Sequence, residues 1–362
     1  MPGKGNTMNL KKYRLSLIVL TCFILIYALV PLVDSAARGQ SGNDEWFQYR
    51  GPNRDGVAVS SPSLKAWPEG KLPALVWKRP LGEGFSSIVI AGDQLITAFG
   101  DGGFEFIGGF ERATGKEIWR SRLGEFFVEE MGNGPRSTPT IDGDAAYILD
   151  STGGLFALNI RTGKQIWKVS LPERFGIKRP LRGFSTSPLI MGDTLIIHGG
   201  GKDSAFIGLN KNTGDTIWQT GESAAGHSSP FRAVINGVEQ LVFTIARVVE
   251  KDGERQVLEE AVSVSPDGKI LWRGPSLSQI IAMPVFVPPD KVFISSSVEN
   301  GCLLIKVLPA MKVETVWNNK EMRNHFNSSV YYKVDILRFS SWSLKCLVAA
   351  TAERKWSKRG FG

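Results

Sequence analysis

Cysteine, histidine and helical periodicity are all scarce in this sequence. Of 362 residues, three are Cys and three are His. Three cysteines are too few for a disulfide framework. Cys22 lies in an N-terminal apolar run, which leaves Cys302 and Cys346 for the remainder. Those two can pair only if the fold brings their Cα atoms within about 7 Å. Cys346 falls in a slot held elsewhere by small or apolar residues, so it reads as a buried thiol. There is no adjacent Cys pair and no Cys-x-x-Cys-His, which excludes a c-type haem attachment site. No loop concentrates Asp, Glu and Asn as a hard-cation site would, and no metal site is assigned. After residue 40 no segment sustains a helical period, so the chain beyond that point is expected to be all-β.

Strong charge is also missing. The formal net charge is +8, and residues 1–37 supply Lys4, Lys11, Lys12 and Arg14 against Asp34, so +5 remains beyond them. That remainder is spread without a basic run and does not argue for nucleic acid. The basic ending (Lys355, Lys358, Arg359) reads as a solvated strand end.

What is present begins with Leu15 to Val33, 19 mostly apolar residues behind a basic stretch, followed by Ser35-Ala36-Ala37. Small residues at those positions suit a signal peptidase, while 19 residues just span a bilayer. Residues 1–37 are therefore expected to be a signal peptide, with an uncleaved membrane anchor as the alternative. Either places the rest outside the cytoplasm, periplasmic or extracellular. Residues 38–72 read as a linker and an N-terminal clasp. Within them Trp46-Phe47-Gln48-Tyr49-Arg50-Gly51-Pro52-Asn53-Arg54-Asp55-Gly56 is an aromatic cluster running into a tight turn. It is expected to cover one end of the fold; the competing reading makes Arg50 and Arg54 ligand contacts.

Residues 73–362 repeat one phrase: a polar residue, two or three spacers, Thr-Gly, then an apolar strand ending in Trp. It stands clearest at Asn159…Thr162-Gly163…Trp167 and Asn210…Thr213-Gly214…Trp218, then at Glu111…Thr114-Gly115…Trp119 and Asp267-Gly268…Trp272. Weaker copies end at Trp317 and Trp356, and a lone closing piece, Leu75-Val76-Trp77, precedes them all. The gaps between successive tryptophans are 42, 48, 51, 54, 45 and 39 residues. A recurring period of roughly 40–50 residues with strand content marks a β-propeller. Each unit opens on a Ser/Thr-Pro-like signal (Ser137-Thr138-Pro139, Thr186-Ser187-Pro188, Ser228-Ser229-Pro230) and passes a Gly-Asp turn (Gly92-Asp93, Gly143-Asp144, Gly192-Asp193). Four short antiparallel strands per unit make one blade. The glycine supplies positive φ in a tight loop, and the Trp buries roughly 200 Å² against the next blade while its N–H finds a carbonyl.

The register weakens late in the chain. The Gly slot four residues before Trp reads Val313 and Ala352, and residues 334–343 lack the Gly-Asp turn, implying a divergent blade or a locally altered frame. Six complete units plus an orphan N-terminal outer strand predict a seven- or eight-bladed ring whose C-terminal part is missing.

These residues resemble the pyrroloquinoline-quinone-like (PQQ-like) β-propeller repeat, roughly Ala-Leu-Asp-x-x-Thr-Gly-x-x-x-Trp, here Ala157-Leu158-Asn159…Thr162-Gly163…Trp167. The lead-in Trp46-x-x-Tyr49-Arg50-Gly51-Pro52 is similar to the opening of secreted members. The resemblance implies the propeller fold over about residues 46–356. For activity it implies two alternatives: a non-catalytic binding or scaffolding module at the cell envelope, or a PQQ-dependent alcohol dehydrogenase using PQQ with Ca²⁺. The missing vicinal Cys pair favours the first. Candidate ligand contacts are the polar residues beside the blade openings: Arg136, Arg182, His227, His325 and Asn327. Converging arginines and histidines suit an anionic ligand, PQQ included; the competing reading has them bonded to channel water and carbonyls. His198, inside Leu195-Ile196-Ile197-His198, reads as structural. The expected partners are an envelope protein or a small anionic ligand, with the protein itself a monomer.

Overall fold

The computed structural model describes Met1, residues 46–58, residue 68 and residues 73–360 except 252, 278, 298–300, 325 and 341–342. The expected signal or anchor segment lies outside the described residues. Among the described residues no helix is long and apolar enough to cross a membrane.

Among the described residues six four-stranded antiparallel sheets follow one another along the chain, each a simple meander. Blade one comprises β1 (Val89–Ala91), β2 (Gln94–Asp101), β3 (Phe104–Glu111) and β4 (Glu117–Glu125). Blade two is β5 (Thr140–Asp142), β6 (Ala145–Leu149), β7 (Gly154–Asn159) and β8 (Gln165–Ser170). Blade three is β9 (Leu189–Met191), β10 (Thr194–His198), β11 (Phe206–Asn210) and β12 (Thr216–Thr220). Blade four is β13 (Phe231–Ile235), β14 (Val238–Lys251), β15 (Glu254–Val264) and β16 (Ile270–Leu277). Blade five is β17 (Val285–Val287), β18 (Lys291–Ser295), β19 (Cys302–Val307) and β20 (Val313–Asn319). Blade six is β21 (Val330–Tyr332), β22 (Asp335–Ser340), β23 (Ser343–Val348) and β24 (Arg354–Arg359). The all-β propeller and its count of six blades are as the tryptophan ladder implied.

The repeated phrase forms the turn between third and fourth strands, and its parts do what their chemistry allows. Asn159 Oδ1 accepts from the amides of Arg161 and Thr162 at 3.0 and 3.1 Å, and Gly163 N donates to Asn159 O at 2.8 Å. Gly163 has φ +69°, and a Cβ there would lie 2.5 Å from the ring of Trp119 in the preceding blade. On its other side the same indole lies against Gly109 of its own third strand, where a Cβ would come within 2.4 Å. Trp119 is thus sandwiched between a glycine of its own blade and the Thr-Gly loop of the next, and Trp218 sits in the same way between Gly208 and Gly268. Trp119 Nε1 donates to Ile160 O at 2.6 Å and Trp167 Nε1 to Lys211 O at 2.9 Å. Burying an indole of roughly 200 Å² at about 25 cal/mol per Å² contributes on the order of 5 kcal/mol per junction. The junction to blade five lacks the glycine, and there Gln240 substitutes: its Oε1 accepts from Trp272 Nε1 at 2.7 Å while its Nε2 donates to Met311 Sδ at 3.4 Å.

Two features depart from local expectation. Leu75-Val76-Trp77 forms no strand, having no third strand beside it among the described residues, yet Trp77 occupies the docking position. Its ring covers Gly115 and its Nε1 donates to Arg112 O at 3.0 Å. Blade six closes without a Gly-Asp turn. Lys333 takes φ +59° in the first hairpin and Ala352 takes φ +63° in the Thr-Gly position. The ladder of β22 with β23 and the complete burial of Ile336 and Leu347 hold that backbone in place.

The blade openings form a chain of hydrogen bonds. Ser87 N donates to Thr138 Oγ1, Thr138 N to Ser187 Oγ and Ser187 N to Ser229 Oγ, at 2.9–3.0 Å, linking blades one to four. Ser228 Oγ donates to Ala282 O at 3.4 Å, and Met283 N to Ser328 Oγ at 3.1 Å, extending the series to blade six. That explains why a hydroxyl precedes so many of these prolines: it satisfies the previous blade's opening amide.

Candidate functional site

The axis of the propeller is taken by the clasp. Ile90 N donates to Trp46 O and Ile141 N to Phe47 O, so the segment first pairs with the inner strands of blades one and two. Arg54, 3% exposed, then reaches inward. Its Nε donates to Gln48 Oε1 at 2.9 Å, Nη1 to Ser187 O and Pro230 O at 3.2 and 3.0 Å, and Nη2 to Thr140 Oγ1 and Pro188 O. All five N–H groups of a guanidinium are thereby used, one within the clasp and four on acceptors from blades two, three and four. Burial pushes its pKa down to about 9. Arg50 serves blade six: Nη1 donates to Ser328 O at 3.3 Å and Nη2 to Ser329 O at 2.5 Å. The expected cover is therefore also an internal tie between blades distant in sequence.

A second polar group gathers where the crossovers between blades one, two, three and four meet. Arg136 lies between Phe85 and Phe127, 5.4 and 5.1 Å from their ring centres. Its Nη1 donates to Gly134 O at 2.8 Å and its Nη2 to Gly132 O at 2.6 Å. Glu129 bridges the two arginines, with Oε2 3.5 Å from Arg136 and Oε1 bonded to Arg182 Nη1. His227 Nδ1 lies 2.9 Å from Ser185 Oγ. Burial first, then Arg136 and Arg182, lower the pKa of that imidazole, and burial lowers that of Arg136. Glu105 is fully buried behind them; Ser151 N donates to its Oε2 at 3.1 Å, and burial raises its pKa.

Three of the residues picked from sequence thus converge: Arg136, Arg182 and His227. Asn327 is exposed in the crossover to blade six, its carbonyl accepting from Asn324 Nδ2 at 2.8 Å. His325 lies outside the described residues. His198 is buried in β10, its Nε2 3.1 Å from Ser223 Oγ and its ring against Phe206 and Phe243. Because Ser223 Oγ itself donates to Ala224 O, it accepts from Nε2 of this histidine. Sequence reasoning missed Glu129, although Glu129-Glu130 lies in the same crossover as Arg136.

Arg136 and Arg54 do not fit the role of carboxylate donors to PQQ. Arg136 is held by Gly132 O, Gly134 O and Glu129, and Arg54 has no donor to spare. Among the described residues no group of three or more His, Cys, Asp or Glu could hold a metal ion.

Six meander sheets, Trp-on-Gly docking and hydroxyl-linked blade openings define a PQQ-type β-propeller. The chain belongs to the family described as outer membrane protein assembly factor BamB, whose model matches residues 103–358. Among characterised relatives, quinoprotein alcohol dehydrogenase PedH of Pseudomonas putida is 27% identical over 157 residues, 42% of this chain and 24% of its own length. Outer membrane protein assembly factor BamB of Salmonella typhimurium is 30% identical over 122 residues, covering 32% of this chain and 29% of its own. The matched stretch thus spans about a quarter of these relatives. The crystal structure of BamB from Moraxella catarrhalis superposes with a TM-score of 0.53 at 17% identity, covering 78% of this chain and 74% of that one. That likeness is one of fold.

Proposed function

We propose that this chain is a non-catalytic, exported propeller of the cell envelope that docks a partner protein on its crossover face. One observation carries this reading. The Glu129–Arg182 pair draws together two loops whose neighbouring apolar side chains face solvent: Val128 at 70%, Met131 at 59% and Leu181 at 84% exposure. Single exposed apolar residues are ordinary. Three grouped around a salt-bridged arginine have the composition of a protein-binding surface, apolar anchors beside an Arg. Relatives named as assembly factors support an envelope role for such a surface.

A photo-crosslinking amino acid placed at Leu181, compared with one at Ile217 (51% exposed, on blade three), tests this in intact cells. A discrete cross-linked envelope protein from position 181 and none from 217 is the expected result. Equal labelling from both positions would overturn the docking surface. Tight, Ca²⁺-dependent PQQ binding with dye-linked alcohol oxidation by the purified protein would instead establish the dehydrogenase alternative.

A further inference from the structure

The clasp roofs a cavity of about 360 Å³ bounded by the inner strands of blades four, five and six. Its walls include Phe231 and Phe286, stacked with ring centres 6.4 Å apart and planes 29° apart, together with Tyr331 of blade six. Arg50, Arg54 and Arg232 also line it, against one carboxylate, Asp55.

The charges there are unevenly matched. Arg232 pairs with Glu239 outside the cavity. Arg50 and Arg54 bond only carbonyl, hydroxyl and amide oxygens among the described residues. Asp55 stands near Arg50, but its Oδ1 accepts from Val57 N at 2.9 Å. Neutral acceptors satisfy the N–H groups of a buried guanidinium without cancelling its charge, so the positive field persists into any adjoining space. Arg54 has no donor left and contributes field alone. Arg50 Nη1 makes a single described bond, to Ser328 O, and has a second N–H to give.

A concave, aromatic-walled space of a few hundred Å³ with a small number of convergent charges has the character of a small-molecule site. We propose that this cavity binds a small organic anion, its carboxylate directed to Arg50 and its apolar body against Phe231, Phe286 and Tyr331. The site shares no residue with the crossover surface, so its failure would leave the docking reading standing.

Titration calorimetry of the full chain with 1-naphthoate and with neutral 1-naphthamide tests the assignment. The expected result is saturable one-to-one binding of the carboxylate, at least about 10-fold tighter than the amide, a difference of about 1.4 kcal/mol. Val234→Glu puts a negative charge on a lining residue that is 56% exposed, where folding is not at stake. It should weaken naphthoate about 10-fold and leave naphthamide unchanged. Equal affinity for the two probes, no saturable heat from either, or an unaltered naphthoate affinity in Val234→Glu would each overturn the proposal.

Discussion

Blades two and six are built on the same four-strand ladder from unequal sequences. Blade two has Gly143 at φ +58° in its first hairpin and Gly163 at φ +69° in its Thr-Gly loop, and its Trp167 is 8% exposed. Blade six has Lys333 and Ala352 at nearly the same angles, and its Trp356 is 41% exposed on a strand open to solvent throughout. Positive φ costs a non-glycine residue about 1–2 kcal/mol, so blade six carries a local penalty that blade two avoids. Long-range pairing and core burial outweigh that penalty. Glycine in the phrase thus records a backbone need without being required to meet it, and a Trp stabilises only where another blade covers it.

The largest effect should separate the two kinds of tryptophan. Trp119→Ala is expected to lower unfolding free energy by about 3–5 kcal/mol, as for other fully buried indoles. Trp356→Ala should cost about 1 kcal/mol or less, since much of that ring stays wet. Urea denaturation of both variants checks the contrast; equal losses would mean that Trp356 is docked in solution.

Acid should single out blade three, whose core holds a histidine where blade six has none. Burial pushes the His198 pKa down to about 4, from an ordinary value of 6.5. The unfolded chain therefore takes up this proton before the folded one does. Stability from this group is complete above about pH 6.5 and declines as the pH falls towards 4, because protonation then favours the unfolded state. At about 1.4 kcal/mol per pK unit the loss approaches 3 kcal/mol. Unfolding free energies from urea titrations at pH 7.5 and 4.5 should diverge less in His198→Gln than in the parent by roughly that amount; identical divergence would place the acid sensitivity elsewhere.

The smallest effect would repair blade six. Lys333→Gly and Ala352→Gly should each stabilise by about 0.5–1 kcal/mol, since relief of the left-handed backbone outweighs the entropy glycine loses on folding. Gly163→Ala should act in reverse and more strongly, because its methyl group meets the ring of Trp119. A thermal melt of the three variants gives the signs directly.

How much was legible in the sequence follows from how local each interaction is. Asn159, Gly163 and the amides they satisfy lie within five residues, so the phrase could be read as a turn without knowing the fold. The hydroxyl before each proline was visible as a repeat, but its purpose, accepting the opening amide of the neighbouring blade, spans some fifty residues. Glu129 bonds an arginine 53 positions away, and no pattern in the sequence marks that pair. Arg54 shows the same limit. As a letter it looks like a ligand contact, and in the structure its carbonyl acceptors lie 133, 134 and 176 residues off.

Sequence by itself determined the blade: four strands, a tight Thr-Gly loop and a Trp at a period set by strand length and turn chemistry. Those depend on dihedral preferences and alternation within one unit, which neighbouring residues already contain. Tertiary structure alone decided which cations remain available at the axis. A guanidinium's availability depends on which oxygens come within about 3 Å of it, and here blades far apart in the chain supply them.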